Sequence, residues 1–258
     1  MEKKKTSRLY KILLYLLKLV YPKMEAVGTE NLPDEPALII GNHAQMDGPL
    51  SCELRFPIER YTWCAAPMMH LKEVPAYAFQ DFWSEKPKYI QWFFKLASYV
   101  IAPLSVLLFN NANTIGVYRD ARIMSTIRET MAKLQAGVSV VIFPECNEKF
   151  NNIIYNFQEG FVDVARFYHR KHGVELSFVP MYIAPHLKKI CFGKPIRFCA
   201  ATPYDEERKR IREELMAEIT ALAANLPEHT VVPYRNMPKK DSPKNLPIEV
   251  YRNEETAC

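Results

Sequence analysis

The chain has 258 residues, 48% of them apolar and 24% charged, which are the values of a globular protein and exclude a disordered or fibrous one. Its 34 lysines and arginines against 29 acids leave a formal charge of +5, and that charge is concentrated: residues 1–23 carry Lys3, Lys4, Lys5, Arg8, Lys11, Lys18 and Lys23 against Glu2, a local +6, so the remainder carries −1. A near-neutral body excludes a dedicated nucleic-acid binder, and six cysteines without a CxxC pair or zinc-ligand spacing, together with the lack of a cleavable leader, predict a reducing, cytosol-facing location with no disulfide or metal needed for stability.

The first predicted element is a basic amphipathic helix within residues 1–23. On a helix Lys4, Arg8, Lys11, Tyr15 and Lys18 form one narrow polar stripe, and Ile12, Leu13, Leu14, Leu16, Leu17 and Leu19 cover the rest. The apolar stretch, residues 9–21, would rise only about 20 Å, short of a hydrocarbon core of about 30 Å. It is therefore expected to lie in a membrane surface, leucines in the acyl boundary and lysines at anionic headgroups; the alternative is a helix docked on its own protein.

Residues 37–41, 61–66, 114–118, 139–143 and 176–183 are short apolar runs of the kind that form fully buried strands. Between the second and third lies a longer run, residues 92–109, interrupted by Lys95 and Pro103. The proline predicts a helix break near Ala102, giving either a hairpin dipping into one leaflet or a buried core connection. Ile123, Ile127, Met131 and Leu134 repeat at helical spacing and stop at Gly137, and residues 190–198 read as a hairpin or paired strand around Gly193-Lys194-Pro195. A last helix is expected with Thr202 as its cap, Pro203 in its first position, Asp205 and Glu206 at its positive end, and Ile211, Leu215, Ile219 and Leu222 on its inner face. Residues 227–258, punctuated by Pro233, Pro238, Pro243 and Pro247, read as an extended or disordered tail. Strands alternating with helices over residues 24–226 predict an α/β domain with a largely parallel central sheet flanked by helices.

In such a sheet, ligands bind beyond the carboxyl ends of the strands. Three runs end there in reactive residues: Ile40-Gly41-Asn42-His43-Ala44-Gln45-Met46-Asp47-Gly48-Pro49, then Ile115-Gly116-Val117-Tyr118-Arg119-Asp120, then Phe143-Pro144-Glu145-Cys146-Asn147-Glu148. A fourth segment is Val179-Pro180-Met181-Tyr182-Ile183. In order and spacing these blocks resemble those of the glycerolipid acyltransferases of the 1-acylglycerol-3-phosphate acyltransferase type, whose pattern is N-H-x4-D, a glycine-to-arginine block, F-P-E-G-T-R and V-P-[IV]-x. The lead-in Val27-Gly28-Thr29-Glu30-Asn31-Leu32-Pro33 and the later Phe157-Gln158-Glu159-Gly160-Phe161 are also family-like, so the resemblance runs over about residues 24–198.

The resemblance implies an O-acyltransferase of phospholipid biosynthesis. It would move a fatty acyl group from an acyl-CoA or acyl-carrier-protein thioester to the hydroxyl of a lysophosphatidate-like glycerolipid, with no cofactor beyond that co-substrate and no metal. His43 would be the general base and Asp47 the carboxylate that orients it; Arg119 would hold the acceptor's phosphate, with Gly116, Asn42 and Glu145 also at the acceptor site or ordering its loop. The expected partners are a phospholipid surface, the thioester donor and, where that donor is protein-borne, the acyl carrier protein, at the cytoplasmic face of a membrane in peripheral or monotopic association.

Two departures stand out. Three residues, not four, separate His43 from Asp47, and Cys146-Asn147-Glu148 replaces Gly-Thr-Arg, so a second cation is missing and Arg122 or Lys149 would have to supply it. The alternatives are a lipid-binding protein on the same fold with weakened catalysis, or transfer to a different lipid acceptor. Cys146 has no histidine tied to it by sequence, and His70, His169 and His172 read as structural.

Overall fold

The computed structural model describes residues 6–84, 86–248 and 252–253. Its strands are β1 (Glu25–Val27), β2 (Leu38–Gly41), β3 (Arg60–Ala65), β4 (Thr114–Val117), β5 (Ser139–Ile142), β6 (Glu145–Phe150), β7 (Tyr155–Phe157), β8 (Ser177–Ala184), β9 (Lys189–Phe192) and β10 (Ile196–Arg197). Its helices are α1 (Arg8–Val20), α2 (Asp47–Arg55), α3 (Val74–Ala78), α4 (Gln91–Asn111), α5 (Ile123–Gln135), α6 (Asp163–His172) and α7 (Tyr204–Ala224). The architecture is α/β with largely parallel strand pairing, as the alternating apolar runs predict. The chain divides into two compact units, one of Pro22–Arg60 with Thr130–Cys258, the other of Met1–Tyr21 with Tyr61–Glu129.

In the first unit the strands run in the order β1-β9-β8-β2-β5. The β8–β2, β2–β5 and β1–β9 pairs are parallel and the β8–β9 pair antiparallel. Every residue of β2 and β5 is buried, which is why they are apolar throughout rather than alternating. Ile39, Val141, Val179 and Phe192 join Cys52 of α2 in one core cluster. Helix α7 buries Ile211, Leu215, Met216 and Ile219, and starts at Tyr204 with no side-chain cap bond, so the capping expected of Thr202 is not made. Helix α6 ends at Gly173 with φ 71°, His169 and His172 in its last turn, where cations suit the helix dipole.

Of the two forms expected of residues 190–198, the structure has the paired strand and not the hairpin. Strands β9 and β10 both pair with β8, β9 with its end (Met181 opposite Phe192) and β10 with its start (Ile196 opposite Phe178). Between them Pro180 has no N–H to offer the ladder, and the Gly193 N–H donates to its carbonyl at 2.8 Å where the chain bends.

Of the two forms expected of the tail, the described residues take the extended one. The tail is ordered through residue 248: the His229 N–H donates to Asn245 Oδ1 at 2.8 Å, the Val231 N–H to the Pro243 carbonyl at 2.8 Å, and Asn245 Nδ2 to the Ala223 carbonyl at 2.8 Å. His229, Val231 and Asn245 are buried. Residues 249–251 and 254–258 of the expected tail lie outside the described residues, as does Lys4 of the predicted basic stripe.

In the second unit β3 and β4 pair in parallel, and Met68, Val74, Ala78 and Ala102 form a core beside them. Helix α4 runs unbroken through Pro103, contrary to both forms expected of residues 92–109. The carbonyl that loses its partner there belongs to Tyr99, which stands on the open side of the helix at 67% exposure. Ala102, Ser98 and Ser105 face inward, with the Ser105 hydroxyl donating to the Met68 carbonyl at 3.0 Å, while Trp92, Phe93, Leu96, Val100 and Leu104 are exposed. The stretch Lys88–Asn111, 24 residues, is long and apolar enough to cross a membrane. In helix α1 the Ser7 N–H donates to Asn111 Oδ1 at 2.7 Å and Tyr10 is buried, but Leu9, Ile12, Tyr15, Leu16 and Leu19 are exposed.

Candidate active site

Strand β2 delivers Asn42 and His43 past its carboxyl end. The Asn42 side chain is buried and spent on Ile183 of β8, donating from Nδ2 to its carbonyl at 3.1 Å and accepting its N–H on Oδ1 at 2.7 Å. The Asn42 amide thus braces two parallel strands.

After His43 the chain turns back on itself. Ala44 and Gln45 both take left-handed conformations, φ 44° and 52°, a strained pair for residues with a Cβ. The Asp47 N–H donates to the Ala44 carbonyl at 3.0 Å and the Gly48 N–H to the His43 carbonyl at 3.2 Å, opening α2. A Cβ on Gly48 would stand 2.1 Å from the His43 oxygen, so only glycine lets the helix begin this close.

The His43 backbone N–H donates to Glu145 Oε2 at 2.5 Å, and the other carboxylate oxygen accepts the Tyr155 N–H at 2.9 Å. Glu145 is buried, and burial pushes its carboxyl up to about 7 although both N–H groups favour the charged form. Its two oxygens thus tie the backbone of the histidine loop to that of β7.

The imidazole lies between two rings, Phe143 at 5.2 Å, tilted, and Tyr234 at 5.5 Å, edge-on. Its Nδ1 is buried without a hydrogen-bond partner. Burial lowers its basicity, offset in part by the backbone of Gln45 and of His43 itself, so the ring is neutral at pH 7. Asp47 is not among the groups that set that basicity. With one residue fewer between them, the left-handed turn places Asp47 as the first residue of α2, where a carboxylate suits the positive helix end.

The second block belongs to the other unit. Gly116 is buried in β4, where a Cβ would meet Met69 Sδ at 3.0 Å and Ala66 Cβ at 3.3 Å, so the missing side chain serves packing against the Ala66–Met69 turn. Arg119 is exposed, and its charge opposes the burial that raises the Asp81 carboxyl. Arg122 is paired with Asp120 at 2.8 Å and lies 4.3 Å over the Tyr118 ring, whose hydroxyl is 3.1 Å from His70 Nε2. Cys146 donates to the Asn156 carbonyl at 3.2 Å, and burial beside Glu148 pushes its thiol up to about 11, which disfavours the thiolate.

Tyr234 and the edge-on wall it makes are absent from the sequence reading. The available signal was the apolar Val231-Val232-Pro233-Tyr234 inside an otherwise polar tail.

Neither a family model nor a curated protein matches this chain. Among solved structures it is similar to the 1-acyl-sn-glycerophosphate (LPA) acyltransferase PlsC from Thermotoga maritima, over 87% of this chain and 85% of that one, with a TM-score of 0.46 and 16% identity.

Proposed function

We propose that the protein is an O-acyltransferase that transfers a fatty acyl group from an acyl-CoA or acyl-carrier-protein thioester to the hydroxyl of a lysophosphatidate-like glycerolipid, with His43 as general base. The observation that carries this reading is the convergence of three of the four sequence blocks: Asn42 of the first is tied to Ile183 of the fourth, and His43 of the first to Glu145 of the third. Blocks up to 141 residues apart in sequence meet around one neutral imidazole at the carboxyl end of a parallel strand.

A neutral imidazole takes the acceptor's hydroxyl proton as its oxygen attacks the thioester carbonyl. The tetrahedral intermediate collapses, the thiolate leaves, and the proton passes from His43 to the sulfur, giving an ester and a free thiol. Arg119 is assigned to the acceptor's phosphate, a task that suits a guanidinium fork. The exposed apolar side chains of α1 and α4 support work at a membrane surface, proposed to be the cytoplasmic face.

Purified protein with labelled acyl thioester and lysophosphatidate is expected to label phosphatidate, and His43→Ala to cost about 10²- to 10⁴-fold in rate. Arg119→Ala is expected to weaken a phosphorylated acceptor and spare an uncharged one; unchanged affinity for the former removes Arg119 from the site. The unpartnered Nδ1 favours a second reading, lipid binding with weakened catalysis. Lipid binding without turnover across several acceptors would decide for it.

A further inference from the structure

Residues 229–245 form a loop pinned at its neck. Thr230 and Lys244 face each other across an antiparallel bridge, Val231 and Asn245 hold the two arms together, and Asn245 Nδ2 anchors them to the end of α7. Below the neck is a buried latch: His229 Nε2 lies 2.9 Å from the Tyr182 hydroxyl of β8 and its Nδ1 2.8 Å from the Pro227 carbonyl. The carbonyl requires a proton on Nδ1, so Nε2 accepts from the tyrosine. Burial pushes the Tyr182 phenol up, so its hydroxyl keeps the proton it donates.

The loop spans the histidine turn. Gln45 Nε2 donates to the Arg235 carbonyl at 3.4 Å, and the neighbouring Tyr234 ring meets His43 edge-on at 5.5 Å and Tyr155 at 6.1 Å. With Phe143 on another side, Tyr234 completes an aromatic seat.

We infer that this C-terminal strap is an integral wall of the active site and that Tyr234 is a positioning residue, holding the His43 imidazole against Phe143 and keeping water from it. The inference rests on the reading of His43 as general base. The proposal assigns the positioning to the ring, whose edge-on packing on the imidazole is the observed contact. Strap and base are coupled through packing: the latch lies on β8 and touches no atom of His43.

The titratable or charged groups around the imidazole are Glu145 on β6, which accepts from the backbone N–H and not from the ring, Asp47 at the head of α2, Tyr155 on β7, and Tyr234 with Arg235 on the strap. Burial is the largest influence on the ring, so thinning its wall moves its titration up toward the ordinary value of 6.5.

The test is an NMR titration of His43 in the folded, substrate-free full chain, its signal assigned by its loss in His43→Gln. In Tyr234→Ala the midpoint is expected to rise by about 0.5 pH or more and the acid limb of kcat/KM to follow it, with kcat down about 10- to 100-fold. Tyr234→Phe is expected to keep wild-type values, and Tyr182→Phe, which loosens the latch, to move the midpoint the same way by less. Tyr234→Leu replaces Tyr234→Ala if the latter does not fold. A wild-type midpoint in the folded Ala or Leu variant, or a shift as large in Tyr234→Phe, overturns the proposal. The titration needs no turnover, so it stands apart from the activity: transfer surviving in His43→Ala would sink the role of His43 as base and leave the seat intact.

Discussion

Burial pushes the Glu145 carboxyl up to about 7, while in the unfolded chain it ionises near 4.5. Between those values the folded state holds a proton that the unfolded chain has lost, so the stabilisation this group gives below about pH 4.5 falls away as the pH rises through 7, a change of about 3 kcal/mol at about 1.4 kcal/mol per pH unit. Glu145→Gln should remove that slope: urea denaturation at pH 5 and pH 7.5 is expected to differ less in the variant than in the wild type. The amide can accept only one of the two N–H groups that Glu145 now receives, so the variant should also be weaker at pH 5, by about 1–3 kcal/mol. An unchanged slope would mean that the carboxyl is not buried as described. Gly48 makes a second case. Its substitution by alanine drives a Cβ against the His43 carbonyl, with an expected cost of about 1–3 kcal/mol in stability and a lower kcat that a compensating mutation outside the loop does not restore. At this scale His43 and Glu145 are legible in sequence because a reactive residue follows an apolar run in each block. Their contact is not, since 102 positions separate them and only the β2–β5 pairing brings the blocks side by side. The fate of Asp47 is equally hidden, because spacing alone does not reveal that Ala44 and Gln45 turn left-handed.

Elements were legible where burial is complete. Strands β2, β5 and β8 announce themselves as unbroken apolar runs, since neither face meets water. The misreadings fall where local signals compete with packing. Pro103 argued for a break, but the partnerless Tyr99 carbonyl lies on the open side of α4 and the inner face of Ser98, Ala102 and Ser105 holds the helix together. The prolines of the tail leave extended and disordered chain both open, and it is Asn245 and His229 that supply the buried hydrogen bonds a proline-rich segment lacks on its own. For α4 the open face makes a direct prediction. Leu96 and Val100 are 60% and 74% exposed, so Leu96→Asp with Val100→Asp should leave the melting temperature nearly unchanged, each exposed change lying within about 0.5 kcal/mol. The same pair should reduce co-sedimentation with phospholipid vesicles. A large fall in melting temperature would instead mark that face as packed against protein.

At the scale of the whole chain, basic charge is gathered at one end, +6 within residues 1–23 and −1 beyond them, beside the exposed apolar side chains of α1. A lipid surface reads these two features differently. Basic residues near an anionic leaflet each contribute about 1 kcal/mol, screened by salt, while inserted apolar side chains are indifferent to headgroup charge. Arg8, Lys11 and Lys18 are the exposed cations on α1, so the triple change to glutamine is expected to cost about 3 kcal/mol, near 100-fold in partition onto phosphatidylserine vesicles at low salt. Partition onto neutral phosphatidylcholine vesicles should hardly move, because Leu9, Ile12, Leu16 and Leu19 remain and α4 presents its own face. Raising the salt should bring the wild type toward the variant on the anionic vesicles and leave both unaltered on the neutral ones. Equal losses on both lipids would mean that the lysines hold the helix fold rather than the membrane, and no loss on either would shift the anchor to α4 alone.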